Sequence, residues 1–321
     1  MRHLAFVFAT SLWSVISVIP APCSAPVDPV SFAIPVVQAP ATEVYLHPMQ
    51  GTGPWLNISN NAGYDNQPSF LPDSSSVLFS SNRDGKQTDI YRYDIASKAL
   101  TQLTKTVDSE YSPLVTPDGK GFSVIRQAAA DGTQLLVRYD LDGSNARVIF
   151  ENVKPVGYHA WIDATHVAMF ILGGQGQPAT LQIGDTATGK AEVVDSGIGR
   201  SILIRPRTRT VSYMTTGQGR VIKEYDPATK QTRQIGTPLE NSQDAAWSGG
   251  TLLMASANAV QGLAVGSDII GWNRVVDLSS GGTTPSGPAV KNITRLAVSP
   301  DGRWLAFVAE PATAVAQAAA R

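Results

Sequence analysis

The chain has 321 residues, 43% of them hydrophobic, with 28 Gly, 21 Pro and a near balance of 25 Lys+Arg against 26 Asp+Glu. That is enough apolar material for one large repeat fold or two ordinary domains. The balanced charge excludes a strong field favouring nucleic acid or an acidic membrane surface, and the 9 Tyr, 9 Phe and 6 Trp are spread out rather than gathered on a basic stripe.

The first element is an export signal. Arg2 gives a positive start, Leu4 to Ile19 is almost wholly apolar or small, and Pro20 to Ala25 breaks the helix. The run is shorter than the ~20 residues a spanning helix needs, so residues 1–25 are expected to be a cleaved signal rather than an anchor. Cys23 is the one cysteine, and no intrachain disulfide is possible. An exported chain without disulfides fits a periplasmic or secreted protein held by its core alone. A Pro-rich leader, residues 26–41, follows.

Residues 42–310 read as one repeating unit. "QPSFLPDSSSVLFS" (Gln67–Ser80) returns as "SPLVTPDGKGFSVI" (Ser112–Ile125) and "TRLAVSPDGRWLAFV" (Thr294–Val308). Weaker copies start near Tyr158, Arg200 and Gln243. Equivalent apolar positions are Phe70, Val115, Trp161, Ile204, Trp247 and Val298, spaced by 45, 46, 43, 43 and 51 residues. That period belongs to propeller blades. The second half of the unit ends its apolar run at Tyr93-Asp94, Tyr139-Asp140, Gly184-Asp185, Tyr225-Asp226 and Val276-Asp277. Turn residues and a further β-rich run follow each pair, so a unit is four short strands.

Six units start but five finish. The last start supplies two strands, and "EVYLHPMQGTGPWLNIS" (Glu43–Ser59) supplies strand, turn, strand at the other end, with His47-Pro48 in the Tyr-Asp slot. The expected fold is therefore all-β: a six-bladed β-propeller whose sixth blade takes two strands from the N-terminal side and two from the C-terminal side. Such closure removes two exposed sheet edges. Residues 311–321 form a low-complexity tail.

The Pro-Asp-Gly turns, "SNRDG", "DIYRYD" and "LTQLT" resemble the TolB-like propeller repeat, which also occurs in tricorn-type proteases and prolyl-peptidase propellers. The resemblance covers Thr42 to Glu310 and implies the propeller fold and a partner-binding role. The α/β domain that precedes the propeller in TolB itself has no counterpart in the short leader.

Catalytic motifs are missing from the pattern. There is no Gly-x-Ser-x-Gly elbow, and "GGQGQ" (173–177) lacks the Lys of a phosphate loop. His47, His159 and His166 fall in different blades, so neither metal nor cofactor is expected. Asp73, Asp118 and Asp301 are expected to form turns through their own backbone rather than to act as acids.

Two loop sets share one face. The lead-in loops are 60–67, 105–112, 152–158, 196–200 and 237–244; the loops between middle strands are 82–89, 127–134, 173–178, 216–219 and 257–268. These are longer and chemically richer than the tight turns opposite, which marks their face as the working one. The lead-in loops bring Tyr64, Asp65, Glu110, Tyr111, Tyr158, His159, Arg200 and Asp244 toward the central channel. Tyr64, Tyr111, Tyr158 and Arg200 are candidate anchors, with Asp65 and Glu110 orienting a basic group or backbone amine. The expected function is a monomeric, non-enzymatic binding or scaffolding module for an envelope protein, peptide or saccharide, without nucleic acid or membrane insertion. The alternative is a hydrolase or lyase using channel carboxylates.

Overall fold

Short β-branched and aromatic runs bounded by Gly, Pro, Asp and Ser turns become 24 strands in the computed structural model. The structure describes residues 41–50, 55–256, 259–268, 271–278 and 290–311. The expected signal, residues 26–40 of the leader and residues 312–321 of the tail lie outside the described residues. Pro311, expected to open the tail, is the last residue of a strand.

Strands β1 (Glu43–Pro48) and β2 (Leu56–Asn57) come first. Blade one is β3 (Asp65–Phe70), β4 (Ser76–Ser81), β5 (Asp89–Asp94) and β6 (Leu100–Gln102). Blade two is β7 (Ser109–Val115), β8 (Gly121–Gln127), β9 (Gln134–Asp140) and β10 (Arg147–Val148). Blade three is β11 (Val156–Trp161), β12 (His166–Ile171), β13 (Thr180–Asp185) and β14 (Lys190–Ser196). Blade four is β15 (Ile198–Ile204), β16 (Val211–Thr215), β17 (Ile222–Asp226) and β18 (Gln231–Gly236). Blade five is β19 (Ala245–Ser248), β20 (Thr251–Ser256), β21 (Ala259–Ala264) and β22 (Asn273–Asp277). Strands β23 (Val290–Val298) and β24 (Trp304–Pro311) close the chain.

The sixth sheet runs β2-β1-β24-β23, so its two inner strands are C-terminal and its two outer strands N-terminal. Strand β1 pairs with β24 from Glu43↔Ala309 to Pro48↔Trp304. This is a six-bladed propeller with the split closing blade that the count of starts and ends requires. The N-terminal side is also stitched to blade one: Thr42 N donates to Gly63 O, and Asp65 N donates to Thr42 O.

Each blade's second strand is sandwiched between neighbours and is apolar on both faces. Strand β4 shows the rule: Val77 and Phe79 pack toward the closing blade, whereas Leu78 packs toward blade two. Period-2 alternation does this, because successive side chains leave opposite faces of a strand. The six buried clusters each sit between two adjacent blades, and together they pass round the whole ring. Fourth strands form the rim and are polar; β6 is exposed at all three residues.

The Pro-Asp turns are self-bonded. Asp73, Asp118 and Asp301 accept backbone N–H bonds from Ser75, Lys120 and Arg303, each at 3.0 Å. The degenerate third copy keeps the device: Asp163 accepts from Thr165 N at 2.9 Å.

Blade five departs from the expected register. Val276-Asp277 ends its fourth strand, not its third, and "KNITR" lies in β23 of the closing blade. The third strand is "AVQGLA" (β21), which pairs with β20 as far as Thr251↔Ala264. Ala264 thus takes the slot that Asp94 holds in blade one. Gly266, at φ 82°, makes the following turn. Half of the span 257–268, expected to be a loop, is therefore strand (Ala259–Ala264); residues 257–258 lie outside the described residues.

Candidate functional site

Inner strands β3, β7, β11, β15, β19 and β23 surround the central channel. In β3, β7 and β23 the ladder is interrupted by a bulge near Gln67, Ser112 and Arg295. These three occupy the same repeat slot, three residues before the strand end, and share φ values of 54°, 52° and 51°. A bulge re-aims a side chain, and all three line one axial cavity with a volume of about 120 Å³. All six inner strands or their lead-in residues contribute: Pro68, Pro113, His159, Ile202, Ala245 and Leu296 form a ring beside the polar one.

The polar wall is built across four blades. Arg200 holds Asp244 in a two-pronged pair, Nε to Oδ1 at 3.0 Å and Nη2 to Oδ2 at 2.6 Å. Arg295 Nη1 reaches the same carboxylate at 3.3 Å and its Nη2 donates to the Tyr158 hydroxyl at 2.7 Å. The Asp244 side chain is 9% exposed and that of Arg295 15%, so this network works in a partly dry environment where charge-assisted bonds are strong. Tyr64 and Tyr111 meet edge to face at 6.3 Å. Burial raises the Tyr64 hydroxyl above its ordinary range, and Arg295 and Arg200 partly offset that.

His159 lies deeper, 5% exposed. Its Nε2 is 2.7 Å from Ser123 Oγ, which also accepts from Trp161 Nε1 at 2.9 Å. The alternative acceptor for the Ser123 proton, Leu114 O, is farther at 3.3 Å. Burial lowers the His159 pKa to about 3, so the ring is neutral. A second pair repeats the tryptophan device: Trp247 Nε1 donates to Ser212 Oγ at 2.8 Å.

Of the eight expected site residues, Tyr158, His159, Arg200 and Asp244 meet at the cavity. Tyr64 and Tyr111 stand near them. Asp65 and Glu110 do not: both are 0% exposed and engaged by their own blades. Asp65 accepts from Asn61 Nδ2 at 3.1 Å and faces Arg83 at 3.4 Å. Glu110 Oε1 accepts from Thr106 Oγ1 at 2.7 Å and from the Tyr139 hydroxyl at 3.1 Å. Both acids are thus held inside their own blades and are absent from the cavity lining. Burial pushes Asp65 up to about 6 and Glu110 up to about 7.

Sequence reasoning missed Arg295, Gln67 and Ser112. Aligning "ITRLAVSPDG" with "EYSPLVTPDG" places Arg295 in the Ser112 slot, a signal that was present in the repeat. A second hollow of about 480 Å³ adjoins the channel and shares Arg200 and Asp244 with it; Asn241, Gln243, Lys291 and Thr294 are among its walls. Among the described residues no group of three His, Cys, Asp or Glu could hold a metal ion.

The family profile described as TolB beta propeller domain matches residues 38–251, two thirds of the chain. The chain belongs to the TolB beta-propeller family. No curated protein sequence matches it. Among solved structures, this TolB-like propeller is similar to an Agrobacterium tumefaciens protein assigned to TolB, with 15% identity, TM-score 0.62, and 84% of this chain and 98% of that one covered. TolB from Acinetobacter baumannii matches at 12% identity and TM-score 0.53, over 84% of this chain and 63% of that one. A puromycin-hydrolyzing peptidase of Mycobacterium tuberculosis matches at 10% and TM-score 0.53, over 73% of this chain and 45% of that one. At these identities the likeness concerns the propeller fold alone.

Proposed function

We propose that this TolB-like propeller is an exported, non-enzymatic binding module of the cell envelope that takes a partner chain on its lead-in face. The observation that carries the reading is the Arg200–Asp244–Arg295–Tyr158 network, assembled from four blades at the channel and flanked by the 480 Å³ hollow. Convergent aromatic and arginine side chains at a central opening are the usual anchors of a binding surface. Asp244 is the one carboxylate lining the cavity, and two arginines already engage it. That arrangement favours binding over the alternative, a hydrolase or lyase, which needs a general acid and a general base in reach of one substrate.

The test is capture from an envelope extract with the purified protein as bait. Arg200→Ala and Tyr158→Ala should each weaken capture by roughly 30-fold, the cost of about 2 kcal/mol for one true anchor. Ser75→Ala, Lys98→Ala and Lys230→Ala, on the opposite face, should leave capture intact. If the opposite-face changes abolished capture and the channel changes did not, the assignment of the face would be wrong.

A further inference from the structure

One bond of the polar wall joins blades that are not neighbours. Each inner strand packs beside the next and β23 returns to β3, so the six blades follow chain order round the axis. Strand β11 of blade three and β23 of the closing blade therefore stand on opposite sides of the channel. Arg295 on β23 nonetheless reaches Tyr158 on β11. Its Nη2 donates to the hydroxyl at 2.7 Å, and its guanidinium carbon stands 4.9 Å from the centre of the Tyr158 ring. Repeats stacked in a row contact their neighbours; a bond between opposite repeats has to cross the opening they surround.

The repeat explains why the crossing starts at Arg295. Its slot holds Gln67 in β3 and Ser112 in β7, each at a bulge and at positive φ. Gln67 reaches as far as the next blade, where its Oε1 accepts from Ser112 N at 3.1 Å. Serine is shorter still. Arginine is the longest of the three and carries a rigid fork of N–H donors. One prong, Nη1, holds Asp244 of blade five at 3.3 Å while the other holds Tyr158. Arg200 of blade four grips the same Asp244, so the crossing side chain is braced from the side. At 15% exposure the Arg295 side chain is largely shielded, which strengthens these bonds. Leu114 and Leu203 follow Ser112 and Arg200 along β7 and β15, toward the turn face, and line the axial cavity of about 120 Å³. That space holds a handful of waters and falls well short of the ~300 Å³ at which pockets begin to enclose a small ligand.

We infer that Arg295 and Tyr158 form a bar that closes the channel at its lead-in mouth, braced by Asp244 and Arg200, so that no chain threads the propeller while the bar stands. The inference goes beyond the reading of the lead-in face as a binding surface and does not depend on it. It defines what a partner on that face meets. The partner lies over a closed floor, where Arg200, with its side chain 31% exposed, is the most accessible charge of the network. A substrate bound for the channel would have to break the bar first.

The test is thiol labelling by N-ethylmaleimide of Leu114→Cys, placed in the full chain carrying Cys23→Ser. Labelling should be slow. Tyr158→Ala and Arg295→Met, each checked for an unchanged circular dichroism spectrum, should speed it by roughly tenfold, because access no longer waits on opening of the bar. A labelling rate that neither substitution changes overturns the inference, since the cavity is then reached past the bar or from the turn face. A second measurement needs no cavity probe. Tyr158→Phe and Arg295→Met, made singly and together, form a double-mutant cycle across the channel. The double variant should lose less in chemical denaturation than the two single losses added. Additive losses overturn the inference, because opposite blades would then not be joined. Neither failure alters the effect of Arg200→Ala on envelope capture, so the binding module stands or falls separately.

Discussion

Blades one and two present acids at their lead-in positions, and so does blade five, yet the three carboxylates differ in use. Asp65 and Glu110 are wholly buried, bonded by Asn61, Thr106 and Tyr139, and pushed up toward neutrality by desolvation. Asp244 lines the channel and holds Arg200 and Arg295. In a ring of repeats the same kind of loop is a seam on one side and a mouth on the other. What decides is the company: Asp65 and Glu110 meet partners from their own blades, whereas Asp244 meets guanidiniums from two neighbouring inner strands.

The largest expected effect breaks the mouth. Asp244→Ala leaves two guanidiniums facing each other without a counter-charge. Removing one partner of a buried pair costs 3–5 kcal/mol, and since the Arg200 side chain is 31% exposed, about 2 kcal/mol is expected here. For a domain of this size that lowers the melting temperature by roughly 4–8 °C. Arg200→Ala, which keeps the Arg295 pair, should cost less; equal losses would mean that the two arginines do not share the carboxylate.

The seam should respond to pH rather than to truncation. Folded Asp65 and Glu110 hold protons up to about 6 and about 7, above the ~4 of an unfolded chain. The folded state thus binds more protons than the unfolded state between these values. Their contribution is full below pH ~4 and is lost as pH rises through 6 and 7. Melting temperature should fall from pH 5 to pH 8, and Glu110→Gln should flatten that slope. A slope unchanged by Glu110→Gln would remove the seam from the account.

Tyr158→Phe is a finer cut. It deletes the hydroxyl that receives Arg295 and should cost about 1 kcal/mol in chemical denaturation. It should weaken capture of a partner by more than Tyr111→Phe does, because the Tyr111 ring packs against Tyr64 and lies outside the arginine network. Smallest of all, Ser75→Ala, Lys98→Ala and Lys230→Ala on the opposite face should leave both stability and capture unchanged.

The ring was legible because turns repeat more faithfully than strands. Asp73, Asp118 and Asp301 close the same turn by the same backbone bond, so their spacing survives where the flanking strands drift. The split blade followed from counting. Blade five was misread because its third strand ends at Ala264, where a glycine turn replaces the aspartate signal, and Val276-Asp277 imitated the missing pair. The site was legible in part. Tyr158, His159, Arg200 and Asp244 were found from loop position alone. Arg295 was missed because the last unit was read for closure and not for its lead-in. The burial of Asp65 and Glu110 was not legible, since it depends on Asn61, Arg83, Thr106 and Tyr139 folding over them. Nor were Gln67 and Ser112, because nothing in their chemistry announces a positive φ.

The central claim is that the lead-in mouth, not the opposite face, receives a partner. Photo-crosslinking in envelope preparations measures this directly, with a photoreactive residue at Gln243 beside the channel or at Lys98 on the opposite face. The account predicts a discrete crosslinked product from position 243, lost when Arg200→Ala is added, and none from position 98. A product from position 98 with none from position 243 would contradict it.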